Sequence, residues 1–264
     1  MDFATILGIF MGLGLIFFGI TLLTQDYQMF WSLPSLAIVL GGSLAATLIA
    51  FPLHEVGRVF KVIGIVFRKE RRDMQTLVRQ VTELAAFARR GPTELEKHIE
   101  EVKHPFLKDG IQLVIDGYSD ADIREILTLR IVNREQREKG EVNVVKTMGK
   151  LSPAFGMIGT LIGLVVMLYG MSVSDASGDM AAQLGRGMGA AIVTTFYGAI
   201  LANLFFNPAA AKIDSRIQKA SMLQLMLIEG VCLLYHRKHP LIVREKLNSF
   251  LPPRDWIREE ERKG

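Results

Sequence analysis

One cysteine in 264 residues, Cys232, excludes an internal disulfide and any metal cluster built on several thiolates. A second scarcity is local: four apolar runs, roughly 3–23, 30–53, 151–171 and 187–207, contain no Asp, Glu, His, Lys or Arg. Each has about the 20 residues that span a bilayer's hydrocarbon core. The short connections 24–29 and 172–184 hold no Lys or Arg. Of the 31 basic residues, 18 fall in 53–148 and 11 in 209–264. The positive-inside rule then puts both basic blocks and both termini in the cytoplasm and both short connections outside. No P-loop, nucleophile elbow, H-E-x-x-H or carboxylate pair in a plausible pocket is found, so an enzyme is the least favoured class. The five histidines lie in cytoplasmic segments without ligand spacing, and His236 and His239 read as surface residues. Alternating strand patterns are absent too. Met1–Asp2 brings no basic n-region, so the first run reads as a retained span and not a cleaved leader.

What is present divides the chain. The expected fold is all-α: a polytopic inner-membrane protein with four transmembrane helices and a helical cytoplasmic domain. Spans one and two occupy 1–53, a cytoplasmic loop domain 54–149, spans three and four 150–208, and cytoplasmic helices with a tail 209–264. The net charge of +4 and pI near 9.2 are explained by orientation and anionic lipid headgroups; no nucleic acid is implied. Helical spacing of apolar residues runs from His54 to about Arg90. Gly91-Pro92 breaks it, and Thr93-x-x-Glu96 reads as a capping box. Pro105 and Gly110 punctuate the next stretch. Ser119-Asp120 caps a charged helix ending near Lys139, and 213–235 is helical again. Its apolar half, 222–235, is too short to span and reads as buried or interfacial. The tail 252–264 is expected to fray.

A proton carrier normally needs a titratable group at membrane depth. These spans offer only neutral oxygens: Thr160 in the third, and Thr194, Thr195, Tyr197 and Asn203 in the fourth. Hard cations favour oxygen ligands. If ions pass here, a partner helix must bring the carboxylate. Gly156, Gly159, Thr160 and Gly163 stripe the third span, and Gly187, Gly189, Ala190, Ala191, Thr194, Thr195 and Gly198 fill the fourth. Such faces suit helix packing or a narrow pore lining, and texture alone leans toward packing.

At these residues the chain resembles the MotA/PomA family, the ion-channel subunit of the bacterial flagellar stator. The resemblance is carried by KLSPAFGMIGTLIG from Lys150 to Gly163, by AAIVTTFYGAILAN from Ala190 to Asn203 with Pro208 beyond it, and by PFLKDGIQLVIDG from Pro105 to Gly117. It covers almost the whole chain and includes the order of spans and loops. It implies a homopentamer around two copies of a MotB/PomB-type single-span partner carrying an essential Asp. No cofactor is implied, and the transported cation is Na⁺ or H⁺. Ion passage beside Thr160, Thr194 and Thr195 would turn the ring against the rotor switch protein. Pro153 and Pro208 match the family's coupling prolines, although proline also stands at helix ends for purely structural reasons. Arg89, Arg90 and Glu96 match its rotor-facing charges. Pro92 lies between arginines and glutamate here, so Glu94 competes with Glu96. Thr160 favours sodium, because a hydroxyl can replace a water ligand of Na⁺; it can instead bond its own helix carbonyl. The rivals are a proton-driven stator, an ExbB/TolQ-type energiser, which typically has one span and not two before the cytoplasmic segment, and a scaffold whose small faces only pack.

Overall fold

The computed structural model describes residues 3–66, 74–173 and 180–258. Among them the regular structure is entirely helical. In chain order the α-helices are α1 Phe3–Leu23, α2 Leu33–Leu36, α3 Gly42–Ala50, α4 Leu53–Val66, α5 Met74–Ala88, α6 Pro92–Lys97, α7 Pro105–Ile115, α8 Asp120–Val173, α9 Met180–Ile200, α10 Asn207–Tyr235 and α11 Pro240–Asn248. Two π-helical stretches, Ala37–Gly41 and Leu201–Phe206, join α2 to α3 and α9 to α10 without a break. Four helical runs are long and apolar enough to cross a membrane.

The chain divides into two compact units, one of Met1–Lys69 with Lys139–Ser215, the other of Glu70–Glu138 with Arg216–Gly264. The first unit holds the apolar runs. The apolar window of α1 has no buried residue, and Phe10, Leu15, Phe17 and Phe18 stand outward, as expected of side chains facing lipid. Ser32 caps the second run: its hydroxyl accepts from the Ser35 N–H at 3.3 Å, and Pro34 sits in the first turn where its missing N–H costs nothing. The run ends at Phe51, which the following Pro52 forces into extended backbone (φ −132°, ψ 147°). Two of the buried hydroxyls in this unit are satisfied within their own helices. Thr47 donates to the Ser43 carbonyl at 2.7 Å and Ser152 to that of Met148 at 2.8 Å.

The second unit is a helical domain with one apolar core. Leu95, Leu107, Ile111, Ile123, Leu127, Leu227, Val231 and Leu247 are among its fully enclosed members. The stretch 222–235 supplies much of it, so this apolar segment is buried, with Met222 and Leu225 turned outward. Gly110, read from sequence as punctuation, is inside α7: a Cβ there would lie 2.7 Å from Val231 and 3.3 Å from Leu127, so it is a close-approach residue. The helix expected to end near Lys139 continues as α8 for 54 residues. Its start is as expected, with the Ser119 hydroxyl accepting from the Asp122 N–H at 3.2 Å. The tail does not fray before Arg258. Trp256 Nε1 donates to the Leu251 carbonyl at 3.0 Å, and Asn248 exchanges two hydrogen bonds with Ile257. Residues 259–264 lie outside the described residues.

Candidate functional site

α8 and α9 approach along the small-residue faces. A Cβ on Gly156 would stand 3.1 Å from the Thr194 carbonyl and from Thr195 Cα. One on Gly159 would strike the Thr194 side chain at 2.5 Å, and one on Gly163 would lie 2.8 Å from Ala191 Cβ. Toward the other end a Cβ on Gly198 would stand 2.5 Å from the Ser152 carbonyl. The glycine stripe therefore serves backbone-to-backbone packing.

The three threonines occupy different environments. Thr194 is 1 % exposed and donates to the Ala191 carbonyl at 2.6 Å. Thr195 is one residue, hence about 100°, further round the helix and is exposed, its hydroxyl 3.3 Å from the Gly156 carbonyl across the helix pair. Thr160 is half-exposed and donates to the Met157 carbonyl at 2.6 Å. Its proton is therefore committed to its own helix, while the oxygen's lone pairs are still available to a cation. A cavity of about 540 Å³ lies between α2, α8 and α9, with Ser35, Gly159, Gly163, Gly187 and Thr194 in its wall; Thr160 and Thr195 are outside it.

Sequence reasoning missed the hydroxyl cluster that ties α2 to α9. The Tyr197 hydroxyl donates to the Phe30 carbonyl at 2.6 Å and accepts from the Ser32 N–H at 3.2 Å. Ser35 donates to Ser32 Oγ at 2.7 Å and approaches the Ala190 carbonyl at 3.3 Å. The Ser32-x-x-Ser35 spacing at the helix start was the available signal.

Both prolines lie inside continuous helical runs, not at helix ends. Pro153 is in the interior of α8. Lacking an N–H, it cannot donate to the Gly149 carbonyl, four residues back. Pro208 is the second residue of α10, directly after the π-helical Leu201–Phe206, where the Asn207 N–H donates to the Ala202 carbonyl five residues back. The widened turn makes room for a ring that would otherwise press on the Leu204 carbonyl.

Arg89, Arg90, Glu94 and Glu96 are brought together on one turn and one short helix of the second unit. The arginines follow α5 in a tight turn, with the Arg90 N–H on the Phe87 carbonyl at 2.9 Å and the Gly91 N–H on that of Ala88 at 3.2 Å. The expected capping box is not formed. α6 begins at Pro92 with Gly91 (φ 123°) before it, and no side chain caps its start. Proline at the first helical position moves the start upstream, so Thr93 is already helical. Glu96 is thus freed from a capping role and is exposed. Glu94 is not free: Lys97 Nζ lies 2.6 Å from its carboxylate. The hydrogen bond and charge of Lys97, with Arg90 and His98 adding to them, hold Glu94 below the usual carboxylate range. Cys232 is no nucleophile. It is buried, and burial first, then the neighbouring Asp120 carboxylate, pushes its thiol up to about 12.

Residues 98–224 match the MotA/TolQ/ExbB proton channel family. Motility protein A of Borreliella burgdorferi is 34% identical over 256 residues, 97% of this chain and 96% of that protein. Chemotaxis protein PomA of Vibrio alginolyticus is 31% identical over 251 residues, 95% and 96% of the two chains. The flagellar MotAB stator complex from Bacillus subtilis contains a chain of the same fold, with a TM-score of 0.86 and 28% identity over 95% of this chain and 96% of that one. The C. jejuni MotAB structure matches in fold with a TM-score of 0.88 at 24% identity, over 98% of this chain and 100% of that chain. This four-span helical protein, with charge-free spans, a tightly packed third and fourth span and end-to-end similarity to these proteins, belongs to the MotA/TolQ/ExbB proton channel family. It is not an enzyme.

Proposed function

We propose that this chain is the ring-forming subunit of a flagellar stator in the bacterial inner membrane, with both termini cytoplasmic, and that it couples cation flow to torque on the rotor. The observation that carries this reading is the α8–α9 pair: it has no Asp, Glu, His, Lys or Arg across 151–171 and 187–200, its interior is closed by Gly-on-Thr packing, and the hydroxyls it leaves outward, Thr160, Tyr169 and Thr195, are neutral. Such a wall is half of an ion site. Five copies around two MotB/PomB-type partners would place an Asp of the partner's single span opposite these hydroxyls. Pro153 and Pro208 would transmit ion binding toward the second unit, which together with the loop 54–149 carries the rotor-facing Arg89, Arg90, Glu94 and Glu96. The chain itself needs no cofactor in this reading.

Sodium is the favoured ion, because the Thr160 oxygen retains lone pairs after its proton is donated to Met157. Thr160→Ala should lower sodium-driven swimming several-fold, an effect of about 1 kcal/mol or more on ion occupancy, while the protein still reaches the membrane in normal amount. Tracking cell speed as external Na⁺ is removed gives the readout. Unchanged speed in the variant, with equal indifference to Na⁺, assigns the chain to the proton-driven alternative. The same hydrogen bond favours that second reading, since a hydroxyl tied to its own helix can serve structure alone.

A further inference from the structure

Among the described residues, three have a positive φ, and all three line one recess of the second unit: Gly91 (123°), Gly117 (82°) and Arg237 (51°). The recess has a volume of about 340 Å³ and forms where α5, α7 and α10 end. Its inner wall is apolar, with Ala88, Leu95, Val114 and Leu234 all buried. Two of the helix ends close by the same reversal. The Tyr118 N–H donates to the Leu113 carbonyl at 3.2 Å, and the Lys238 N–H to that of Leu233 at 3.1 Å. The left-handed residue in the first reversal is glycine, as that geometry favours. In the second it is Arg237, where glycine would fit with less strain.

Backbone geometry therefore gives no reason for arginine at 237; what its side chain does is the reason to look for. Arg237 is exposed at the edge of the recess, and Lys238 follows it. Gly91 and Pro92 on the same wall bring the Arg89-Arg90 turn to the same edge. Among the described residues, no ion pair is recorded for these four side chains, and Arg90 reaches Glu94 only through its charge. The acid nearest in sequence on this edge, Glu94, is already held by Lys97. An apolar hollow with a basic edge is complementary to an apolar side chain flanked by acidic ones.

We propose that this recess is the rotor-side socket: a helix of the rotor partner inserts an apolar side chain into it, and Arg237 and Lys238, together with Arg89 and Arg90, close on acidic residues beside that side chain. The inference rests on the stator reading and adds to it a second chain segment, 235–238, and an apolar anchor point.

The test uses swimming cells carrying the full chain and its partner. Arg237→Gly removes the guanidinium and eases the backbone, so folding is not at issue; Arg237→Lys keeps a positive charge; Arg237→Glu reverses it. Arg237→Gly should lower swimming speed about two-fold and Arg237→Glu about ten-fold or more, with Arg237→Lys near the parent, as expected for a charge contact at an interface edge. Membrane abundance and cation conduction should not change in any of them. An acidic-to-Arg change in the rotor protein that restores Arg237→Glu would locate the counter-charge. Parental speed in Arg237→Glu overturns the proposal. So does a loss of speed matched by weaker binding to anionic vesicles, which assigns the basic edge to lipid, or by a smaller assembled complex, which assigns it to a neighbouring copy. The stator reading fails separately, if deleting the chain leaves swimming intact.

Discussion

Gly198 shows how little room single residues have in this protein. Its missing Cβ would sit 2.5 Å from the Ser152 carbonyl and 3.1 Å from Pro153 Cα, both backbone atoms that cannot rotate aside. Gly189, on the same helix, has nothing within 4 Å of its own missing Cβ. Gly198→Ala should therefore destabilise the packed pair by about 1–3 kcal/mol, the usual range for overpacking, whereas Gly189→Ala should be close to neutral. Thermal unfolding of the purified protein in detergent compares the two directly. If both alanines raise the midpoint equally, the gain in helix propensity and not contact governs these glycines. Residue identities were legible here and residue partners were not. Thr194 and Thr195 look equivalent in the sequence, yet a 100° step sends one into the α8 interface and the other outward. The same limit applies to Glu94 and Glu96. Sequence spacing made Glu96 a cap, but Pro92 shifted the helix start, and Lys97 took Glu94 instead.

At the scale of elements, the apolar runs were readable because the bilayer imposes a length and a composition on them. The helix ends were less so. The change from charged to apolar residues between Lys139 and Leu151 looks like a boundary between elements, but it marks a change of surroundings and not of backbone. Nothing in that stretch stops a helix, and α8 runs through it. The π-helical turns had no sequence signature except the proline that follows one of them. That proline supports a prediction. Pro208→Ala restores an N–H that can donate to the Leu204 carbonyl, removing the ring that favours the widened turn at Leu201–Phe206. Ordinary α-helical winding would then rotate every later residue of α10 relative to α9, since the two windings place successive side chains at different angles. The variant should reach the membrane in normal amount, as immunoblotting of the membrane fraction would report, yet swim poorly. Full swimming speed would mean that the π turn is set by packing elsewhere and that Pro208 has no part in coupling.

For the molecule as a whole, the decisive feature is what the spans do not contain. A charged carrier group at membrane depth is the usual requirement for moving protons, and sodium needs several oxygen ligands to replace its water. Here the outward-facing hydroxyls of the two spans are few and neutral, Thr160, Tyr169 and Thr195, and others are committed: Thr194 to Ala191, Ser152 to Met148, Tyr197 to Phe30. A few neutral hydroxyls per chain cannot offset the dehydration of a cation in a medium of low dielectric, where an unpaired charge costs several kcal/mol. The chain reconstituted alone into vesicles should therefore pass cations at or near the background rate, whatever ring it forms. Adding the single-span partner proposed above should raise the rate by orders of magnitude, and replacing the membrane-depth carboxylate proposed for it by the amide should abolish the gain. Measuring Na⁺ uptake and pH change in parallel across these three preparations separates the terms: a carboxylate-dependent Na⁺ flux makes the hydroxyls co-ligands, and a carboxylate-dependent proton flux without Na⁺ makes them packing groups. Substantial conduction by this chain without any partner would mean that the neutral wall is itself a complete pathway, and the division of the ion site between two polypeptides would be wrong.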